Sequence, residues 1–345
     1  MNNTFRLWEY TGVDSIYDVG IFVKELTKYI KIQTTNNLEV ILDMYPEGYS
    51  LHHNGVWNII EAVCEACDVH TASITLVIGD MTADYPCNVI IHQPRWLMEA
   101  SAEFVDFEED FSKVAERKFL HFIGRATWDR VGVNKFLREK YADQSWVTMG
   151  PTKHRQRVID DTFHGLTNQR FNPDQLVDMM EYTLNPPRNF LVESSREDYI
   201  TFPNNVLPLR HMYTNAFVEI VHETDINDNN FFITEKTIRP ILFKKPFITM
   251  CGKNFMKNLR TLGFKTFDDW FDERYDEGNA RQRYDSVLRR IIKIGKMSYK
   301  ELSAWNLEMQ DTVEHNFNHL LTRGWLEHLD KFDVQFWHDG KGQLL

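Results

Sequence analysis

Apolar and polar positions fall into two periods along this chain. Leu38–Tyr45 (LEVILDMY), Ser73–Asp80 (SITLVIGD) and Asn88–His92 are short runs rich in β-branched and aliphatic residues, each bounded by turn residues, and they predict strands. Phe5–Tyr10 reads the same way. Between Leu38–Tyr45 and Ser73–Asp80, Val56, Ile59, Ile60 and Val63 recur at helical spacing and predict a helix over Val56–Asp68. Strands alternating with a helix predict a parallel sheet covered on both faces.

Residues 101–113 are acidic and aromatic without a clear period and read as a linker. Beyond it the alternation resumes, with strands predicted at Lys118–Gly124, Trp146–Gly150, Phe217–His222 and Pro246–Cys251. Helices are predicted at about 129–141, 254–262, 277–294 and 299–321, whereas 151–215 shows no regular period. The expected class is therefore α/β, with two successive domains and a cleft between their sheets. The boundaries implied are 1–115, 116–300 and a C-terminal helical segment 301–345.

Length agrees with that division, since 345 residues exceed one ordinary hydrophobic core. Charge sharpens it. Residues 1–115 carry 6 Lys+Arg against 18 Asp+Glu, and the remainder 33 against 32. A surface that tracks a nucleic-acid backbone shows a basic stripe, so the first domain is a poor grip for DNA or RNA. No apolar run approaches the ~20 residues of a membrane span, and the first residues lack the form of a signal peptide. A cytoplasmic protein is expected, or one of the host cytoplasm if the chain is virus-encoded. Cys64, Cys67, Cys87 and Cys251 are too few and scattered for a disulfide framework and are expected as thiols.

Three constellations could carry chemistry. In Thr234-Glu235-Lys236 a helix begins directly after an apolar stretch, with Arg239 about one turn further on. Unpaired amides and the macrodipole at a helix start favour an anion, and a lysine there adds a point charge. Glu235 could accept both hydroxyls of a ribose. The tripeptide also fits a capping threonine with solvated Glu and Lys. His121–Arg130 is a strand running through a Gly-Arg turn into a helix, which places Arg125 and Arg130 at the carboxyl end of a strand, where arginine can pair with phosphate. A surface turn in which Asp129 pairs with an arginine is the alternative. Asp43–Gly55 supplies Asp43, Glu47, His52 and His53 on a loop facing the expected cleft, and so a possible general base; a turn at Pro46 and Gly48 with the His pair solvated is the alternative.

Cys64-x-x-Cys67 lies on a predicted helix with no second pair at zinc-ribbon spacing, and His315/His319 lacks the order of a metalloprotease helix, so no metal ligand is assigned. The chain has no phosphate-binding loop, no G-x-G-x-x-G and no Asp-x-Asp. A nucleotide diphosphate would have to be neutralised by side chains and helix ends.

Phe232-Ile233-Thr234-Glu235-Lys236, Pro240-Ile241-Leu242 and Lys245-Pro246-Phe247-Ile248 with Gly252 are together similar to the donor-binding motif of the α-1,3-fucosyltransferase family. The continuation Leu259-Arg260-x-x-Gly263-Phe264-Lys265-Thr266-Phe267, with Tyr275-Asp276 beyond, resembles virus- and bacterium-encoded relatives of that family. The resemblance covers about 217–276, extends more weakly to 118–140, and fades over the first 115 residues.

That resemblance implies a GT-B architecture of two Rossmann-like domains, the first for the acceptor and the second for the nucleotide-sugar. It implies that Glu235 and Lys236 hold the ribose and phosphates, and that Arg130, with Arg125 as rival, contacts the diphosphate. It further implies inversion without an essential metal, the co-substrate being a nucleotide-diphosphate sugar with GDP-sugar favoured. Glu47 is the expected base and Asp43 the reserve. The expected activity is transfer of a sugar, fucose by analogy, to a glycan or small hydroxyl acceptor. The alternatives are a virus-type DNA-base glycosyltransferase and a non-catalytic binding module of the same fold.

Overall fold

The computed structural model describes residues 4–11, 18–44, 50–52, 55–92, 94–103, 116–124, 126–149, 155–185, 209–223, 226, 229–332, 335–338 and 343–344. The chain is mixed α/β and divides into two units: unit 1 is Met1–Met98, Asp228–Ile233 and Glu327–Leu345, and unit 2 is Glu99–Asn227 and Thr234–Leu326. The sequence pattern suggests consecutive stretches; the units interleave instead. Residues 301–326 belong to unit 2, and 327–345 return to unit 1.

Unit 1 contains β1 (Thr4–Arg6), α1 (Trp8–Thr11), α2 (Val19–Thr35), β2 (Val40–Asp43), α3 (Val56–Ala66), β3 (Ile74–Ile78) and β4 (Asn88–His92), and late in the chain β9 (Gln335–His338) and β10 (Gln343–Leu344). Its sheet runs β1-β2-β3-β4-β9-β10, parallel except for the β9–β10 pair. All five residues of β3 are buried, as a strand covered on both faces requires. The predicted strand over Phe5–Tyr10 ends early. Leu7 is fully buried and the chain turns there, with the Tyr10 amide bonded to the Leu7 carbonyl at 3.0 Å, so Trp8 begins a short helix. Helix α2 was not expected from the pattern. Asp18 caps it, and Phe22, Leu26, Ile30 and Gln33 form its buried stripe.

Residues 228–233, the start of the motif stretch, belong to unit 1. The Asp80 carboxylate accepts from the Phe231 amide at 2.8 Å and from the Thr82 amide and hydroxyl at 2.9 and 2.8 Å. Met81 N–H bonds to the Phe231 carbonyl, and the Phe231 ring stacks on Phe332 at 5.8 Å. The chain then leaves unit 1 between Ile233 and Thr234.

The chain passes from unit 1 to unit 2 within α4 (Arg95–Glu103). Unit 2 then contains β5 (Arg117–Ile123), α5 (Trp128–Lys140), β6 (Ser145–Met149), α6 (Arg155–Asn168), α7 (Pro173–Leu184), α8 (Arg210–Thr214), β7 (Ala216–His222), α9 (Glu235–Leu242), β8 (Phe247–Met250), α10 (Phe255–Thr261), α11 (Ala280–Lys296), α12 (Tyr299–Glu308) and α13 (Gln310–Leu321). Its four parallel strands run β6-β5-β7-β8. Strand β7 is buried throughout, which explains its near-continuous apolar run. Gly132 allows α5 to approach α11 closely, because a side-chain carbon there would collide with the Tyr284 ring.

The pattern gave 151–215 no period, yet α6 and α7 lie within it. Helix α7 buries only Met179 and Thr183, too little for a visible stripe, although its Asn172–Gln175 capping box with Pro173 marks its start. Among the described residues, no helix is long and apolar enough to cross a membrane.

Candidate functional site at the order reversal of the second sheet

From β5 the chain of unit 2 goes to β6 on one side, then returns past β5 to lay down β7 and β8 on the other. Strand order therefore reverses between β5 and β7. Right-handed crossovers send helices on either side of such a reversal to opposite faces, leaving a crevice at the carboxyl ends of the two strands. Here α5 follows β5 and α9 follows β7.

At this reversal lies a buried polar net. Thr127, the N-cap residue of α5, donates its hydroxyl to Asp129 Oδ1 at 2.6 Å, and Asp129 Oδ2 accepts from His222 Nδ1 at 2.9 Å. The Arg130 guanidinium donates to the Glu223 carbonyl at 2.6 Å. The start of α5 is thereby tied to the end of β7. The His121 and His222 rings meet at 4.8 Å, and the Nε2 atoms of both are buried without a hydrogen-bond partner. Burial holds both imidazoles below the ordinary histidine range; for His222 it outweighs the Asp129 hydrogen bond. For the Asp129 carboxyl burial acts upward, but the His222 hydrogen bond and the nearby Arg130 charge bring it below its usual value.

Glu223, the residue after β7, is 4% exposed and turns its carboxylate into the start of α9. Oε1 accepts from the Thr237 hydroxyl at 2.6 Å and amide at 3.3 Å, and from the Thr234 amide at 3.0 Å. Oε2 accepts from the Thr234 hydroxyl at 2.6 Å. An internal carboxylate thus takes the position at a helix N-terminus where an anion is favoured. Thr234 is the N-cap residue of α9, and its hydroxyl also accepts from Lys236 Nζ at 2.9 Å.

Further back along β7, the Glu219 carboxylate bonds to the Tyr213 hydroxyl and pairs with Arg239, also of α9, at 3.0 Å. Burial pushes the Glu219 carboxyl up to about 7 against the opposing pull of Arg239, and it pushes the Tyr213 phenol up as well. The guanidinium lies 5.6 Å from the centre of the Phe122 ring.

Of the residues the sequence singles out, Glu235 and Lys236 remain half-buried, paired at 3.0 Å. Burial opposes ionisation of Glu235, but Lys236 and Arg239 outweigh it and hold the carboxyl below its ordinary value. Thr234 is buried and its hydroxyl is engaged within the protein, as is the Arg130 guanidinium. Arg125 and Glu47 lie outside the described residues. Asp43 ends β2 in unit 1 and pairs with His92 Nε2, at the end of β4, at 2.8 Å. The pair spans the end of β3. Near it in the sequence, the His52 ring stacks on Tyr85 at 4.7 Å, and the Tyr85 hydroxyl accepts from the Leu51 amide.

The sequence reading missed His92, His222, Glu223 and Glu219. Polar residues closing an apolar strand, as in His222-Glu223, were the available signal. The alternative pairing of Asp129 with an arginine is not its main contact, which is the buried histidine. Cys64 is buried within α3, where burial pushes its thiol up to about 11, and Cys67 lies just beyond the helix. His315 and His319 donate to the carbonyls of Gly263 and Leu262 at the end of α10. Among the described residues no three His, Cys, Asp or Glu side chains are grouped to hold a metal ion.

A second groove of unit 2, of about 420 Å³, is lined by charged side chains including Lys257, Arg260, Glu273 and Asp276. Two of its acids are engaged internally, Asp276 by the Met256 and Lys257 amides and Glu273 by Arg260 and the Phe267 amide.

Compared with models of known protein families, with curated proteins and with solved structures, the chain gives no match.

Proposed function

We propose that the chain is an inverting, metal-independent glycosyltransferase of the GT-B class, with unit 2 binding a nucleotide-diphosphate sugar and unit 1 supplying the acceptor side. One observation carries the reading. The Glu235–Lys236 pair, its side chains 21% and 23% exposed, stands on the first turn of α9, beside the strand-order reversal where open α/β sheets bind nucleotides. A carboxylate next to an ammonium suits a ribose diol next to a phosphate. The motif resemblance assigns those same two residues to that task.

In the reaction, the acceptor hydroxyl oxygen attacks the anomeric carbon from the face opposite the leaving group. The bond from that carbon to the diphosphate oxygen breaks, and its electron pair leaves with the nucleotide diphosphate. Lys236 offsets the charge developing there. The Arg130 guanidinium is engaged with the His222 and Glu223 carbonyls, and Arg125, its rival by the resemblance, is the arginine we propose for the diphosphate. The acceptor proton passes to a carboxylate base, for which the sequence offers Glu47 or Asp43. GDP is the favoured nucleotide and fucose the favoured sugar, by the resemblance alone.

Incubation with GDP-, UDP- and CMP-sugars, with and without a mixed glycan acceptor, tests this by release of free nucleotide. Release with one nucleotide class, with transfer when acceptor is present, is expected. Nucleotide binding without turnover points to a binding module instead, and no binding at all removes the reading.

A further inference from the structure

We infer that Glu223 is the positioning residue of the donor half-site: its carboxylate fills the anion position at the start of α9, so that a donor diphosphate meets the Lys236 ammonium and not the amides of this helix. The inference rests on the donor reading given above for Glu235 and Lys236.

Four donors converge on the Glu223 carboxylate, two amides and two hydroxyls, and the residue is almost wholly buried. The α9 amides of Thr234 and Thr237 are therefore already matched with negative charge from within the protein. A phosphate arriving at the crevice would find this position taken.

The second consequence concerns direction. A hydroxyl has one proton to give, and Thr234 gives it to Glu223 Oε2 at 2.6 Å. Its lone pairs are left to accept, and Lys236 Nζ donates to them at 2.9 Å. Lys236 is further held by Glu235 at 3.0 Å and lies 4.0 Å from Glu223 Oε2. Glu223 thus orients Thr234, and Thr234 orients the ammonium. Glu223 is itself anchored from upstream, since Arg130 holds its carbonyl and Asp129 holds the preceding His222.

Glu223→Ala should open a small anion-sized cavity at the start of α9, which formate can refill. The test has two readouts on the full chain, each with and without formate. One is the acylation rate of Lys236 by an amine-reactive ester, followed by peptide mass spectrometry. The other is GDP affinity by calorimetry. In Glu223→Ala, Lys236 labelling is expected to rise several-fold and GDP affinity to fall about tenfold, as for loss of one charge-assisted contact, with formate reversing both. Wild type should not respond to formate.

Thr234→Val, which cuts the relay but keeps the Glu223 carboxylate, should raise labelling without formate rescue and serves if the alanine variant does not fold. Unchanged labelling in these variants overturns the proposal, as does a loss of thermal stability at constant GDP affinity. If wild type binds no GDP, the donor reading fails while the labelling arm still decides the role of Glu223.

Discussion

Each unit has an aspartate–histidine pair at the ends of its parallel strands, and the two pairs sit in different surroundings. Asp129 and His222 in unit 2 have side chains only 4% and 1% exposed, whereas Asp43 and His92 in unit 1 are 21% and 17% exposed. The buried pair belongs to a net that also holds Arg130, Glu223 and the start of α9, so it fixes backbone geometry. The other pair sits at strand ends within reach of solvent. The same two side chains thus form a rigid clamp when dry and a loosely held surface pair when partly wet.

The largest effect expected from this contrast is on stability. Asp129→Ala leaves His222 buried with neither ring nitrogen satisfied and should lower the unfolding free energy by about 2–3 kcal/mol in urea titrations. Asp43→Ala should cost less than about 1 kcal/mol, because solvent replaces the lost partner. Equal losses would erase the distinction.

A smaller effect is expected in acid. The folded pKa values of His121 and His222 lie below their unfolded value, so the unfolded chain takes up protons first as pH drops. Their contribution is whole above about pH 6.5 and is lost as pH falls from there through the lowered folded values. The slope should approach about 1.4 kcal/mol per pH unit for each proton involved. Glu219 acts in the opposite sense. Its raised pKa gives stability that is present below 4.5 and lost as pH rises through about 7. Denaturant melts as a function of pH should show His121→Phe with a flatter acid limb than wild type. An unaltered limb would place the acid sensitivity elsewhere.

The sequence disclosed the parts of the fold that carry strong periods and little of what depends on contact between distant segments. Strands β2, β3, β4, β5 and β7 are legible because their apolar runs are unbroken between turn residues. Helices α6 and α7 are not, because few of their side chains are buried and tertiary contact supplies what the pattern lacks. Strand β9 pairs with β4 across some 240 residues of sequence, a partnership no local signal encodes, and so 301–345 read as helical throughout.

At the site, Thr234-Glu235-Lys236 was visible as a helix start. The anion its geometry called for proved to be Glu223, a residue 11 positions away whose role depends on the fold bringing β7 and α9 together. The structure bears out the capping role of Thr234, while Glu235 and Lys236 are paired with each other and not simply solvated. Both remain at the surface of the crevice.

The central claim is that Lys236 meets a nucleotide diphosphate at the order reversal of the unit 2 sheet. Calorimetric titration of GDP into wild type and Lys236→Ala tests it most directly. The account predicts measurable binding by wild type and a loss of about tenfold or more in the variant, the scale of one charge-assisted phosphate contact, with thermal stability preserved. Equal GDP affinity in the two proteins would contradict it.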